Sequence, residues 1–205
     1  MRAIFWKELA DHFGRRRFIL LLGMVVLGAV WGLSVMVREV QEGSSSTSEF
    51  LFLQVFYRGS GFLPSLLFFV ALYTPLVAIT LGFDSINSER TQGTLSRVLA
   101  QPVYRDALFN GKFLAGALTL AIVFVGMVIA VVGLGMFILG FAPSGEEVLR
   151  LIGFSVISIA YMALWLAVAM TCSIFFRNTV ASALVALSIW MFSLFFLQLI
   201  IARPI

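Results

Sequence analysis

Apolar residues occur in five long runs separated by short polar segments. The runs cover residues 18–37, 62–83, 113–141, 151–176 and 180–202. Each run exceeds the roughly 18 apolar residues that indicate a membrane-spanning helix. Because hydrocarbon offers no partners to backbone N–H and C=O groups, such a run must form its hydrogen bonds within a helix. The pattern therefore predicts five transmembrane helices.

The composition supports the same class. Of 205 residues, 61% are hydrophobic and 12% are charged, whereas soluble domains have about 45–50% apolar and about 25% charged residues. A chain of this size cannot bury so large an apolar fraction from water. A disordered chain, a disulfide scaffold and a soluble enzyme are excluded. We predict an all-α protein, a polytopic membrane helix bundle over residues 18–205 that follows a short polar segment, residues 1–17.

The positive charges predict the orientation. With the N-terminus in the cytoplasm, the inner segments contain most of the 14 Lys and Arg residues: Arg2, Lys7, Arg15, Arg16, Arg17, Arg90, Arg97, Arg105, Lys112 and Arg177. The outer segments contain the remaining four: Arg38, Arg58, Arg150 and Arg203. By the positive-inside rule, we expect a multi-pass membrane protein with a cytoplasmic N-terminus. The membrane we expect is the cell membrane of a bacterium or an archaeon. The net charge of +4 then reflects topology, and no nucleic-acid partner is expected.

The predicted spans contain no Asp, Glu, Lys, Arg or His. Proton relays and ion-coupled transporters need such groups within the membrane. The chain has one histidine, His12, and one cysteine, Cys172, and it lacks HExxH. We therefore predict no catalytic residue and no metal site. We expect the Ser and Thr residues of the spans to form hydrogen bonds between helices, and Gly28 and Gly32, a GxxxG pair, to mark a close helix contact.

Residues 1–17 have the pattern of an amphipathic helix. Phe5, Leu9 and Phe13 recur every four residues, with charged residues between them. Such a helix lies at the inner membrane surface, where its basic residues face anionic lipid. A plain anchor and a partner-binding role both fit this pattern. The residues expected at the membrane interface are Trp6, Arg15, Arg16, Arg17, Lys112 and Arg177.

The inner loop at residues 84–112 contains a second short amphipathic helix. Gly93 and Pro102 delimit residues 94–101, and Thr94 is a suitable N-cap. Positions i, i+3 and i+4 of this segment form one apolar face: Leu95, Val98 and Leu99. A helix of this kind either docks into a groove of a cytosolic partner or rests on lipid, and the pattern alone leaves both open.

The same loop contains three short motifs: Glu89-Arg90-x-x-Gly93-Thr94-Leu95, then Pro102-Val103-x-Arg105, then Gly111-Lys112. Together they resemble the signature loop of ABC-2 type permeases, the membrane subunits of ATP-binding cassette transporters. Two further runs are similar to the family's N-terminal interfacial helix and to its inner turn between spans four and five: Phe5-Trp6-Lys7-Glu8-Leu9 and Phe175-Phe176-Arg177-Asn178. The family has six spans, so we expect the complete protein to have one more.

The resemblance implies that residues 94–101 are a coupling helix seated on a cytosolic ABC ATPase. The residues implied in ATPase coupling are Glu89, Arg90, Gly93, Thr94, Leu95, Val98, Leu99, Pro102 and Arg105. The chain has no GxxxxGK[ST] motif, so ATP and Mg²⁺ would be bound by the partner and no cofactor by this chain. A second permease copy, contact with membrane lipid and export are also implied. Arg105 and Lys112 would lie at the foot of the third span, where snorkelling to lipid phosphate is the alternative.

Two other functions fit the sequence. One is a permease that serves maturation of an extracytoplasmic copper enzyme, as in nitrous-oxide-reductase assembly. The other is a non-transporting membrane scaffold whose inner loop recruits a cytosolic partner. Co-purification with an ATPase would separate the transporter interpretations from the scaffold.

Overall fold

A computed structural model describes residues 2–14, 17–41, 65–91, 93, 105–140 and 142–201. Over these ranges the chain is helical and contains no strand. The helices are α1 (Arg2–Gly14), α2 (Arg17–Gln41), α3 (Leu66–Gly82), α4 (Asn87–Thr91), α5 (Arg105–Leu139), α6 (Gly145–Phe175) and α7 (Thr179–Ile201).

The five predicted spans correspond to α2, α3, α5, α6 and α7. Four helical stretches are long and apolar enough to cross a membrane: Leu66–Thr91, Asp106–Ile138, Gly145–Phe175 and Thr179–Phe196. The apolar part of α2 is shorter, Leu21–Val35. The prediction of a polytopic helix bundle is confirmed, and the N-terminal helix predicted before the first span is present as α1.

Two helices begin earlier than hydropathy predicts. The α5 helix begins at Arg105, and it includes Lys112, which directly precedes the predicted span and is buried in an ion-pair cluster described below. The α6 helix begins at Gly145 behind a capping box. In that box, Glu147 N–H donates to Ser144 Oγ at 3.3 Å, and Ser144 N–H donates to the Glu147 carboxylate at 2.8 Å.

The chain forms two compact units. The first comprises Met1–His12, Pro75–Ala117 and Met162–Ile205, and the second comprises Phe13–Thr74 and Leu118–Tyr161. In the second unit, α2 packs closely on α5. A Cβ atom at Gly28 would lie 2.3 Å from Met127 Sδ, and one at Gly32 would lie 3.0 Å from Val131 Cγ1. The close helix contact predicted for the GxxxG pair is confirmed.

In the first unit, α3 and α6 approach each other at Gly82. A Cβ atom there would lie 2.8 Å from Ala169 Cβ, 3.0 Å from the Leu166 carbonyl oxygen and 3.2 Å from Met170 N. Two of these atoms belong to the backbone of α6 and cannot move aside as a flexible side chain would. The end of α3 is thus held directly against α6.

Three hydroxyl groups of the predicted spans bond within their own helices. Ser155 donates to Leu151 O, Thr171 to Ala167 O and Ser188 to Leu184 O, at 2.7–2.8 Å. The prediction that these groups join neighbouring helices is wrong for these three, because the carbonyl four residues earlier is the nearest acceptor when no water is present. Ser182 differs, since it bonds to another element of the first unit.

Large apolar side chains are exposed on α7, which lies in the first unit. Phe192, Phe195 and Phe196 are each more than half exposed. Only 17% of the apolar stretch within Thr179–Phe196 of α7 is buried, whereas 50% of the corresponding stretch within Leu66–Thr91 is buried. In a membrane protein, such a surface faces lipid acyl chains or another transmembrane helix.

Candidate functional site

The candidate site is built around α4, the short helix that follows the second span. After α3 ends at Gly82, residues 83–86 form a turn, and α4 covers Asn87–Thr91. Gly93 then adopts φ +66°, and its N–H donates to Arg90 O at 3.1 Å. A left-handed residue at this position ends a helix, and glycine adopts that conformation without a Cβ clash. The sequence thus defines α4 directly before residues 94–101.

Ser173, on α6, caps the beginning of α4. Its Oγ accepts hydrogen bonds from Ile86 N–H at 3.2 Å and from Asn87 N–H at 3.3 Å. Ser173 is fully buried. Because the first N–H groups of a helix have no partners within it, this hydroxyl satisfies two donors that water cannot reach.

Three further hydrogen bonds join this segment to the end of α6, to the turn between α6 and α7, and to the first turn of α7. The Asn87 side-chain amide donates to Phe176 O at 2.9 Å, and the Arg90 guanidinium donates to Ile174 O at 3.3 Å. From the other side, Ser182 Oγ donates to Phe83 O at 2.9 Å. Arg90 also places its positive charge at the C-terminal end of α6, where the helix dipole favours a cation.

Ion pairs fasten the opposite side of α4. Lys112, on α5, places Nζ 2.8 Å from Glu8 Oε1 and 2.9 Å from Glu89 Oε1. The side chains of Lys112, Glu8 and Glu89 are only 6%, 15% and 14% exposed. Removing one member of a buried ion pair typically costs about 3–5 kcal/mol, because the remaining charge lacks a counter-ion. One lysine therefore links α1, α4 and α5.

The short helix α4 is bonded to several neighbouring elements. Three of its five residues, Asn87, Glu89 and Arg90, make polar contacts with α5, α6 and the α6–α7 turn, and Glu89 shares Lys112 with Glu8 of α1. Among the described residues, no group of three or more His, Cys, Asp and Glu side chains could hold a metal ion. The apolar groove of about 500 Å³ between α5 and α6 in the second unit includes Ser155 but no titratable side chain. The polar contacts of α4 thus reach several helix ends.

The structure brings together three of the sequence-predicted residues. Glu89, Arg90 and Lys112 meet at or beside α4, and Gly93 ends the helix. Trp6 is 65% exposed on α1, Arg177 is exposed in the α6–α7 turn, Arg17 begins α2 and Arg105 begins α5. The others, including the predicted coupling helix, lie outside the described residues: Arg15, Arg16, Thr94, Leu95, Val98, Leu99 and Pro102.

Lys112 and α1 contact each other in a way that the sequence did not predict. Lys112 is buried against two carboxylates rather than extended toward lipid phosphate. On α1, Glu8 faces this cluster, while Trp6 and Lys7 are exposed. The α1 helix thus contacts the rest of the protein through part of its polar face. The Glu8 carboxylate turns away from water there because the buried Lys112 ammonium group needs a counter-ion.

Three residues of the site were not predicted from the sequence: Glu8 as an ion-pair partner, Asn87 and Ser173. The hydrogen bond of Ser182 to Phe83 O agrees with the prediction that hydroxyls of the spans bond to other elements. Glu8 stood in the run Phe5-Trp6-Lys7-Glu8-Leu9 without a role. Asn87 lies near the start of the inner loop, close to Glu89. A polar residue near the end of a span is a signal from which a helix cap can be predicted. Ser173 carries no local signal, because its hydroxyl resembles any other within an apolar run.

Comparison with curated protein sequences finds no match. The sequence profile of the family described as ABC-2 family transporter protein matches residues 2–203, and therefore includes every element of the site. The bundle of apolar helices agrees with a membrane permease of this kind. The chain belongs to the ABC-2 transporter family, whose members are membrane permeases of ABC transporters.

Proposed function

We propose that this chain is the membrane subunit of an exporter that is driven by a separate cytosolic ABC ATPase. The observation that carries the proposal is the position of α4. It lies directly before residues 94–101, the segment that resembles a coupling helix, and it is bonded to α5 through Glu89 and to α6 through Ser173. A displacement of residues 94–101 would reach several helix ends through α4.

In this proposal, the partner binds ATP and Mg²⁺, and this chain binds no nucleotide. Leu95, Val98 and Leu99 would be the apolar anchors in a groove of the ATPase. Closure of the ATPase on ATP would move α4 as a rigid lever and change which side of the bundle is open. Export rather than import rests on family analogy.

The proposal also includes an orientation and a second copy. The excess of positive residues in the segments on the α4 side supports a cytoplasmic N-terminus. The exposed phenylalanines of α7 provide an apolar surface for lipid and for a second permease chain. Two permease copies would then be served by two ATPase chains.

Affinity purification of the membrane protein in mild detergent, with mass spectrometry and an ATPase assay, tests the proposal. We expect a stoichiometric ATPase partner that is lost in Leu95→Asp. Ser96→Asp is the matched control, because it adds the same charge to the predicted polar face of the same segment. A clean homo-oligomer without ATPase, or equal partner binding by both variants, would refute the coupling role and leave the scaffold function.

A further inference from the structure

The Lys112 ammonium group forms ion pairs with two carboxylates, and these two lie on different helices. Lys112 bonds to Glu8 on α1 at 2.8 Å and to Glu89 on α4 at 2.9 Å. The three side chains are at most 15% exposed, so water screens their interactions weakly. When all three are ionised, their summed charge is −1. The two carboxylates attract the same cation and repel each other.

This geometry has a definite energetic consequence. If Glu89 moves away with α4, the Lys112–Glu8 pair that remains is balanced in charge, and the repulsion between the carboxylates is removed. If Glu8 moves away with α1, the Lys112–Glu89 pair gains in the same way. Each carboxylate therefore weakens the hold of the lysine on the other, and by linkage the effect is equal in both directions.

We propose that Lys112 is a positioning residue that couples α1 to α4 antagonistically: release of one helix strengthens the docking of the other. The Trp6 side of α1 is exposed, so a docked α1 presents an aromatic ring suited to the membrane interface. The antagonism follows from the repulsion between the two carboxylates that share Lys112. Its use during transport rests on the proposed function, in which the ATPase moves α4.

Thiol labelling can measure the docking of α1 in the full chain. The background is Cys172→Ala, which removes the free cysteine of the wild type. Leu9→Cys places a thiol on a half-buried position of α1, and Ala10→Cys places one on an exposed position of the same helix. The ratio of their reaction rates with a water-soluble maleimide, in nanodiscs, reports how often α1 undocks and corrects for changes in helix content.

The two glutamate variants should give opposite results. We expect Glu8→Gln to raise the rate ratio and Glu89→Gln to lower it, each on the order of fivefold, the lower end of measured coupling between sites. A purely structural cluster would give increases in both variants, because each loses a stabilising contact. An increase in Glu89→Gln, or no change, would overturn the proposal.

Two controls keep the result interpretable. Glu146→Gln makes the same chemical change in an exposed pair with Arg150 and should leave the ratio unchanged. Lys112→Arg retains the cation and should preserve the opposite responses to Glu8→Gln and Glu89→Gln; if the opposition disappears, a charge shared between the helices is not its cause.

A second measurement tests the use of the antagonism. In the complex with the co-purified ATPase, we expect ATP to change the labelling of Leu9→Cys, and we expect Glu89→Gln to abolish this response. A response that persists in Glu89→Gln would overturn the proposed route from α4 to α1. Absence of any ATPase would instead refute the proposed function, while the labelling of the isolated chain still decides the antagonism.

Discussion

Replacement of Ser173 by alanine tests whether α4 depends on the cap provided by α6. Ser173 Oγ accepts from two backbone donors, Ile86 N–H and Asn87 N–H, at 3.2 and 3.3 Å. The Ser173→Ala change creates almost no cavity, since it removes one oxygen atom. Its effect should come from the two donors, which lose their acceptor at a site where Ser173 and Asn87 are fully buried.

The magnitude follows from the contacts. Loss of an N-cap side chain costs about 1 kcal/mol, and a buried donor left without a partner costs about 1–3 kcal/mol. Both bonds are longer than the common N–H···O distance of about 2.9–3.0 Å, which places the expected loss near the lower end of the sum. We expect Ser173→Ala to lower the free energy of unfolding by about 2 kcal/mol.

The assay is denaturant titration of the purified protein in mixed micelles. Ser188→Ala is the matched control, because Ser188 is exposed and donates only within its own helix, to Leu184 O at 2.8 Å. It should change the free energy of unfolding by less than about 0.5 kcal/mol. Equal losses in the two variants would show that Ser173 acts as an ordinary intramembrane hydroxyl and that α4 does not need its cap.

Two further predictions concern helix packing and helix initiation. Gly82→Ala places a Cβ 3.0 Å from a backbone oxygen of α6 and should destabilise the fold by about 1–3 kcal/mol. In Gly126→Ala, where nothing lies within 4 Å of the added Cβ, thermal unfolding should show no loss, and equal losses would refute the close approach. Glu147→Ala removes the reciprocal bond to Ser144 and should weaken the first turn of α6 by about 1 kcal/mol. Hydrogen exchange confined to that turn would report it, and unchanged protection would contradict the capping role.

The positions of the spans could be predicted because each is a continuous apolar run. The ends of the helices could not be predicted, because a hydropathy scale counts every lysine as polar, whatever surrounds its side chain. Lys112 directly precedes the apolar run of the third span, yet in the structure it lies within α5 and its side chain is only 6% exposed. The early start of α6 was accessible from the sequence, since Ser144-Gly145-Glu146-Glu147 has the spacing of a capping box.

The partners of the candidate site were beyond local patterns. Lys112 and Glu8 are 104 positions apart, and Ile86 and Ser173 are 87 positions apart. Periodicity describes which face of one helix is apolar, and it contains no information on which distant side chain will meet that face. The sequence could indicate that residues near Glu89 matter through a resemblance, but the tertiary fold decides what Glu89 contacts.

The kind of contact around α4 determines how a displacement of this helix would be transmitted to its neighbours. Apolar contacts between transmembrane helices have little net driving force, because lipid tails are as apolar as the side chains they replace. Helices joined only in this way can slide. Buried hydrogen bonds and ion pairs resist separation, because partners that part in a low-dielectric site find no water to bind. Asn87, Arg90 and Glu89 give α4 directional bonds to the α6–α7 turn, to the end of α6 and to α5, respectively. A displacement applied at residues 94–101 should therefore move these helix ends as one body, and should leave apolar contacts elsewhere in the first unit to adjust.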